Sequence, residues 1–120
     1  MRVLVVDDDH ALAALVSTLL ESEGYAVEIT PNGAEALHCA SERPPDLILL
    51  DLRMPVMDGW TCCRLLKQRS ETMNIPVVVM SADGAGEAAT ADLRCEHFLH
   101  KPFDVADLLS CVRDHIAKHA

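Results

Sequence analysis

Five strand-like runs alternate along the chain with segments whose apolar residues recur every three or four positions: Val3–Val6, Tyr25–Ile29, Leu47–Leu50, Ile75–Met80 and His97–His100. Parallel neighbours need crossover helices, and near-continuous apolar strands need cover on both faces. The alternation therefore predicts an α/β three-layer sandwich around a five-stranded parallel sheet. Leu12, Leu15, Val16, Leu19 and Leu20 mark a first helix that Gly24 ends. Pro31-Asn32-Gly33 is a turn, Ala34–Ser41 a short second helix, and Arg43-Pro44-Pro45 its stop. Asp58 caps a third helix reaching about Gln68, and Asp104 caps a last one striped with Val105, Leu108, Leu109, Val112 and Ile116. Between them, residues 84–94 are rich in alanine but carry Gly84 and Gly86, which permits only a short or frayed helix. Five strands suit the doubly wound order 2-1-3-4-5, which binds ligands beyond the carboxyl ends of the strands, where strands 1 and 3 diverge.

That rule makes the residues following each strand the candidate site. They are Asp7 and Asp8 after the first, Asp51 after the third, Ser81 after the fourth and Lys101 after the fifth. Three carboxylates brought together repel one another, and one lysine leaves two negative charges in excess. Raised pKa values or a bound cation relieve such a cluster. Mg²⁺, small and hard, prefers oxygen ligands and retained water. A carboxylate beside Mg²⁺, a hydroxyl and an ammonium is a candidate phosphoryl acceptor, and Asp51 is the natural nucleophile. Each residue also has a plainer reading: Asp8 or Asp9 as a helix cap, Ser81 as a satisfied strand end, Lys101 as a surface charge. Their joint convergence on one rim favours the site.

Composition narrows the remaining classes. The 120 residues make one domain, expected to span 1–120. Ten basic against nineteen acidic residues leave −9, and four aromatics offer no base-stacking platform, so direct nucleic-acid binding and attachment to anionic membranes are disfavoured. No apolar stretch approaches the roughly 20 residues of a membrane span, and the start of the chain lacks the pattern of a secretory signal, so a cytoplasmic location is expected. The five cysteines form no Cys-x-x-Cys pair and read as reduced, packed thiols. His38-Cys39 and Cys95-Glu96-His97 lack a second ligand pair at zinc spacing. No phosphate-binding Gly-x-x-x-x-Gly-Lys-Ser/Thr loop occurs.

Four segments together resemble the receiver domain of two-component response regulators: Val3-Leu4-Val5-Val6-Asp7-Asp8-Asp9, Asp51-Leu52-Arg53-Met54-Pro55-Val56-Met57-Asp58-Gly59, Met80-Ser81-Ala82 and Lys101-Pro102-Phe103. The resemblance covers essentially the whole chain and implies a flavodoxin-like (βα)5 fold. It implies that Asp51 accepts a phosphoryl group from a histidine kinase or a histidine phosphotransfer protein. Asp8 would bind Mg²⁺ directly, Asp7 mainly through metal-bound water, and Asp51 and the Arg53 carbonyl would complete the protein ligands. Ser81 would contact the phosphoryl group, Lys101 would pair with it, and Phe98 would be the switch aromatic. Lys101-Pro102 would be a cis peptide. The domain would catalyse only its own phosphorylation and dephosphorylation. It would signal through the face built from the family's fourth helix, fifth strand and fifth helix, to a downstream protein or a fused effector, as a monomer or a phosphorylation-dependent dimer.

A Mg²⁺-dependent phosphohydrolase of the Asp-x-Asp kind is the competing class. It needs a general acid two residues after the nucleophile, where this chain has Arg53, a guanidinium that cannot serve. Two departures from receivers stand out. Arg94-Cys95-Glu96-His97 replaces the usual small-residue stretch, with a slightly tight interval from Ser81 to Lys101, and no effector domain accompanies the sequence. A stand-alone receiver and a piece of a longer regulator both remain open. Arg53 and Asp83, two residues beyond Asp51 and Ser81, are expected to pair across the mouth of the site.

Overall fold

The computed structural model describes residues 1–82 and 95–119, the last three by backbone alone. The elements run β1 Arg2–Val6, α1 His10–Ser22, β2 Ala26–Thr30, α2 Gly33–Glu42, β3 Leu47–Asp51, α3 Gly59–Gln68, β4 Val77–Ser81, β5 His97–His100 and α4 Val105–His119. The helix expected over 84–94 lies outside the described residues, as does Asp83.

All strands are parallel in the order β2-β1-β3-β4-β5. This is the flavodoxin-like α/β arrangement. Alternate side chains of the central strands enter two separate cores. Leu4, Val6, Ile48, Leu50, Val77 and Val79 pack against Ala36, Leu37 and Ala40 of α2 and Cys62, Cys63 and Leu66 of α3. Val3, Val5, Leu47, Leu49, Val78 and Met80 pack on the other face against Ala13, Val16 and Leu20 of α1 and Leu108, Val112 and Ile116 of α4. Those three central strands thus have helices on both faces, as near-continuous apolar runs require.

Local chemistry sets the ends. Asn32 caps α2, its side chain accepting from the Glu35 N–H, so the helix starts within the expected turn. The Gly24 φ of +94° closes α1 in the conformation that glycine adopts most cheaply. β4 begins two residues later than the apolar run predicts, because Pro76 has no N–H for the ladder and Ile75 instead donates to the Thr72 carbonyl. Two apolar positions of the helical stripes do not join a core: Leu15 is 56% exposed and Val105 48%. The five cysteines are free thiols. No helix among the described residues is long and apolar enough to cross a membrane.

The β3–α3 loop holds Val56 at φ 69°, 83% exposed. A β-branched side chain crowds the following carbonyl there, at a cost of about 1–2 kcal/mol. Val56→Gly relieves that cost but frees the unfolded chain, which returns part of the gain. A net stabilisation of about 0.5–1 kcal/mol is expected from urea unfolding. A destabilised glycine variant would show that the valine is not strained.

Candidate phosphoacceptor site

β1 ends at Val6, and the next backbone N–H, that of Asp7, donates to the Thr30 carbonyl of β2 at 3.1 Å. That bond carries strand geometry one residue further and leaves Asp7 only 1% exposed. The Asp9 N–H donates to Asp7 Oδ1 at 3.0 Å, and Asp9 Oδ1 accepts from the Leu12 N–H at 3.0 Å. Asp9 is therefore the cap of α1, and Asp8 stays outside the cap, exposed beside Asp7. Asp51 is the last residue of β3 and is buried. One carboxylate oxygen from each of Asp7, Asp8 and Asp51 lies within 4.8 Å of the others.

Lys101, beyond the end of β5, reaches back over this cluster. Its Nζ donates to Asp7 Oδ2 at 2.9 Å and to Asp51 Oδ1 at 3.3 Å. Its own N–H bonds to the Ser81 carbonyl at 2.9 Å, and the Lys101-Pro102 bond is cis. Ser81 closes β4, buried, and shares with Asp51, Arg53, Ala82 and Lys101 an open cleft of about 320 Å³. Electrostatics show what the cluster lacks. Burial first, and then the Asp7 charge, push Asp51 up to about 6 despite Lys101. Burial opposes the charge on Lys101, but its bond to Asp7 and the Asp51 charge outweigh that and hold its pKa above the ordinary value. The site is short of positive charge, and its donor set of clustered carboxylate oxygens fits Mg²⁺.

The structure thus brings together Asp7, Asp8, Asp51, Ser81, Arg53 and Lys101. The Arg53 guanidinium lies over the Trp60 ring, 5.9 Å from its centroid. Phe98 stands three residues before the lysine on β5, partly buried against the α2/α3 core, edge-on to His100 at 4.7 Å between centroids.

Two supports were not read from the sequence as parts of the site. A Cβ on Gly59 would overlap the Asp51 carbonyl oxygen and come within 2.6 Å of Leu52 Cα, so only glycine lets α3 start against the strand end that carries Asp51. Half-buried Lys67 donates to Glu96 Oε1 at 2.6 Å and to the Ile75 carbonyl at 2.9 Å, while Glu96 also accepts from the Val77 N–H at 3.3 Å. That pair ties the approach to β5, and through it the lysine strand, to α3 and β4.

A parallel sheet of this order, with an acidic cluster and a lysine at its carboxyl rim, defines a class, and the comparisons name it. The profile of the response regulator receiver domain matches residues 3–113, and the chain belongs to that family. It is 43% identical over 114 residues to the response regulator PleD of Caulobacter vibrioides, covering 93% of this chain and 25% of PleD. It is 40% identical over 114 residues to the DNA-binding dual master transcriptional regulator RpaA of Synechocystis, covering 93% of this chain and 47% of RpaA. The chain therefore spans less than half the length of these relatives. Among solved structures it resembles the chemotaxis protein CheY4 of Vibrio cholerae, with TM-score 0.88 and 28% identity over 95% of this chain and 97% of that one. It also resembles the receiver domain of the sensor histidine kinase PA1611 of Pseudomonas aeruginosa, with TM-score 0.91 and 25% identity over 97% of both chains; that structure has a magnesium ion coordinated in its active-site cleft.

Proposed function

We propose that this receiver is a phosphoacceptor switch in which Asp51 takes a phosphoryl group from the phosphohistidine of a histidine kinase or phosphotransfer protein. The observation that carries the reading is Lys101 bridging Asp7 and Asp51 inside a carboxylate cluster that is still short of positive charge. An Asp51 carboxylate oxygen attacks phosphorus as the P–N bond to imidazole breaks, giving an acyl phosphate. Lys101 pairs with the phosphoryl oxygens, and the Ser81 hydroxyl donates to them. Asp7, Asp8, Asp51 and the Arg53 carbonyl are the residues to hold Mg²⁺, which when bound neutralises charge on the transferring group. Phe98 then repositions as Ser81 is drawn toward the phosphoryl oxygens. The change biases the face beside β5 and α4 toward a downstream protein or a fused effector.

Acetyl phosphate with Mg²⁺ should add one phosphoryl group to the intact protein by mass spectrometry, and EDTA should prevent it. Labelling that proceeds equally without metal would overturn the proposal. Asp8→Ala should weaken Mg²⁺ binding in calorimetry more than Asp7→Ala, because Asp7 already pairs with Lys101 whereas Asp8 is exposed at the rim. Equal losses would show that both ligate alike.

A further inference from the structure

The carboxyl end of β5 carries a side chain to which the phosphoacceptor chemistry gives no role. His100 stands level with Ser81 in the register of β4 and β5, and Phe98 stands level with Val79. Side chains two residues apart on a strand share a face, and those level with each other on parallel neighbours share it too. Val79 and Phe98 pack on the α2/α3 core, so Ser81 and His100 continue that face to the rim. His100 is therefore the neighbour of Ser81 across the strands and of Phe98 along its own strand. Its ring meets that of Phe98 edge-on, with planes at 80° and centroids 4.7 Å apart, a favoured arrangement of aromatic pairs. The backbone is tied at the same level, where the Lys101 N–H donates to the Ser81 carbonyl at 2.9 Å.

We propose that His100 is a positioning residue for the switch: its ring holds Phe98 in the half-buried place that it has in the unphosphorylated protein and links it to movement of Ser81. The inference rests on Asp51 as the phosphoacceptor and Phe98 as the aromatic that repositions. The strand itself does not need an imidazole here. His100 is exposed, and a β-branched residue suits such a position better. What the ring adds is its contact with Phe98, and a contact made in one of two states biases the equilibrium toward that state. An aromatic pair shifts such an equilibrium by a factor of about two to ten, enough to keep the switched arrangement in the minority without locking it out.

Proton NMR of the Phe98 ring, recorded without metal and then with Mg²⁺ and beryllofluoride as the phosphoryl mimic, tests the proposal. Beryllofluoride should move the ring signals of the parent protein to a second position. In His100→Val without metal, those signals should already lie part of the way toward it. Beryllofluoride affinity should rise by about two- to tenfold in the same variant, because the binding-competent state is more populated. His100→Phe, which keeps a ring at this position, should restore the parent behaviour. In a Phe98→Ala background, His100→Val should leave the affinity unchanged, since the contact is already gone. Circular dichroism should show every variant folded, because His100 lies on the surface. Ring signals and affinity equal to those of the parent in His100→Val would overturn the proposal, as would an equal gain in the Phe98→Ala background. A parent that takes up no beryllofluoride would overturn the phosphoacceptor reading and this inference with it. That outcome is distinct from one in which beryllofluoride binds and His100 has no effect.

Discussion

Asp51→Asn should take up no phosphoryl group from acetyl phosphate and Mg²⁺, and yet unfold at a higher temperature than the parent protein when metal is chelated. The first effect is all or none, because an amide oxygen is not an anionic nucleophile. The second follows from burial. In the fold Asp51 is pushed up to about 6 from an ordinary 3.8, chiefly by burial and next by Asp7. As pH rises from about 4 to 6, the unfolded chain gives up this proton first and the folded protein retains it, so ionisation subtracts stability across that window. Above about pH 6 the cost is fully present, and below about 4 it is absent. Two pKa units correspond to about 3 kcal/mol. Asparagine still accepts a bond from Lys101 but loses the attraction to its charge, so a net gain of about 1–2 kcal/mol is expected at pH 7. Thermal unfolding in EDTA at pH 4, 5, 6 and 7 should show the difference opening through that range. Mg²⁺ should then stabilise the parent more than the variant. Labelling that survives in Asp51→Asn would move the acceptor elsewhere. A variant no more stable than the parent at pH 7 would show that the carboxylate repulsion is already relieved in the metal-free fold.

Gly59→Ala should cost about 2–4 kcal/mol, although alanine is the better helix former by about 1 kcal/mol. The added Cβ would meet backbone, the Asp51 carbonyl oxygen and Leu52 Cα, and backbone cannot rotate aside as a side chain can. The Gly59 N–H also donates to the Leu52 carbonyl at 2.8 Å, which anchors the start of α3 to the segment after β3. Relief therefore requires displacing either the helix or the strand end that carries Asp51, the kind of overpacking that costs about 1–3 kcal/mol or more. Urea unfolding should give the stability loss. Because the strain falls on Asp51, acetyl phosphate labelling should slow at a temperature where the variant is fully folded. A neutral substitution would mean that α3 can shift freely against β3.

Much of this molecule is legible locally. Strands β1, β3 and β4 show as apolar runs and helices α1 and α4 as spaced stripes, since both periodicities belong to the backbone itself. Asp58, Asp104 and Gly24 end helices by bonds or dihedrals that span only a few residues, and the structure has them where the sequence placed them. The carboxylate cluster is legible for a topological reason: in a parallel doubly wound sheet every strand delivers its carboxyl end to the same rim, so Asp7, Asp51, Ser81 and Lys101 converge whatever the details of packing.

Other features depended on which atoms meet across the sheet. Two adjacent acids compete equally for the cap of α1 in the sequence, and only the turn after β1 hands that role to Asp9 and leaves Asp8 at the rim. Leu15 and Val105 obey the helical period yet stay exposed, because the width of the covered stripe is set by how α1 and α4 lie on the strands. The closeness of Gly59 to Asp51, the ion pair of Lys67 with Glu96 and the facing rings of His97 and His115 join residues up to 29 positions apart. By itself the sequence determined the α/β layering, the order of strands and helices and the residues of the acidic rim, because period, caps and crossover geometry are local or topological. The tertiary structure decided the cap, the exposure and these contacts, because each rests on a register and a helix placement that no single segment contains.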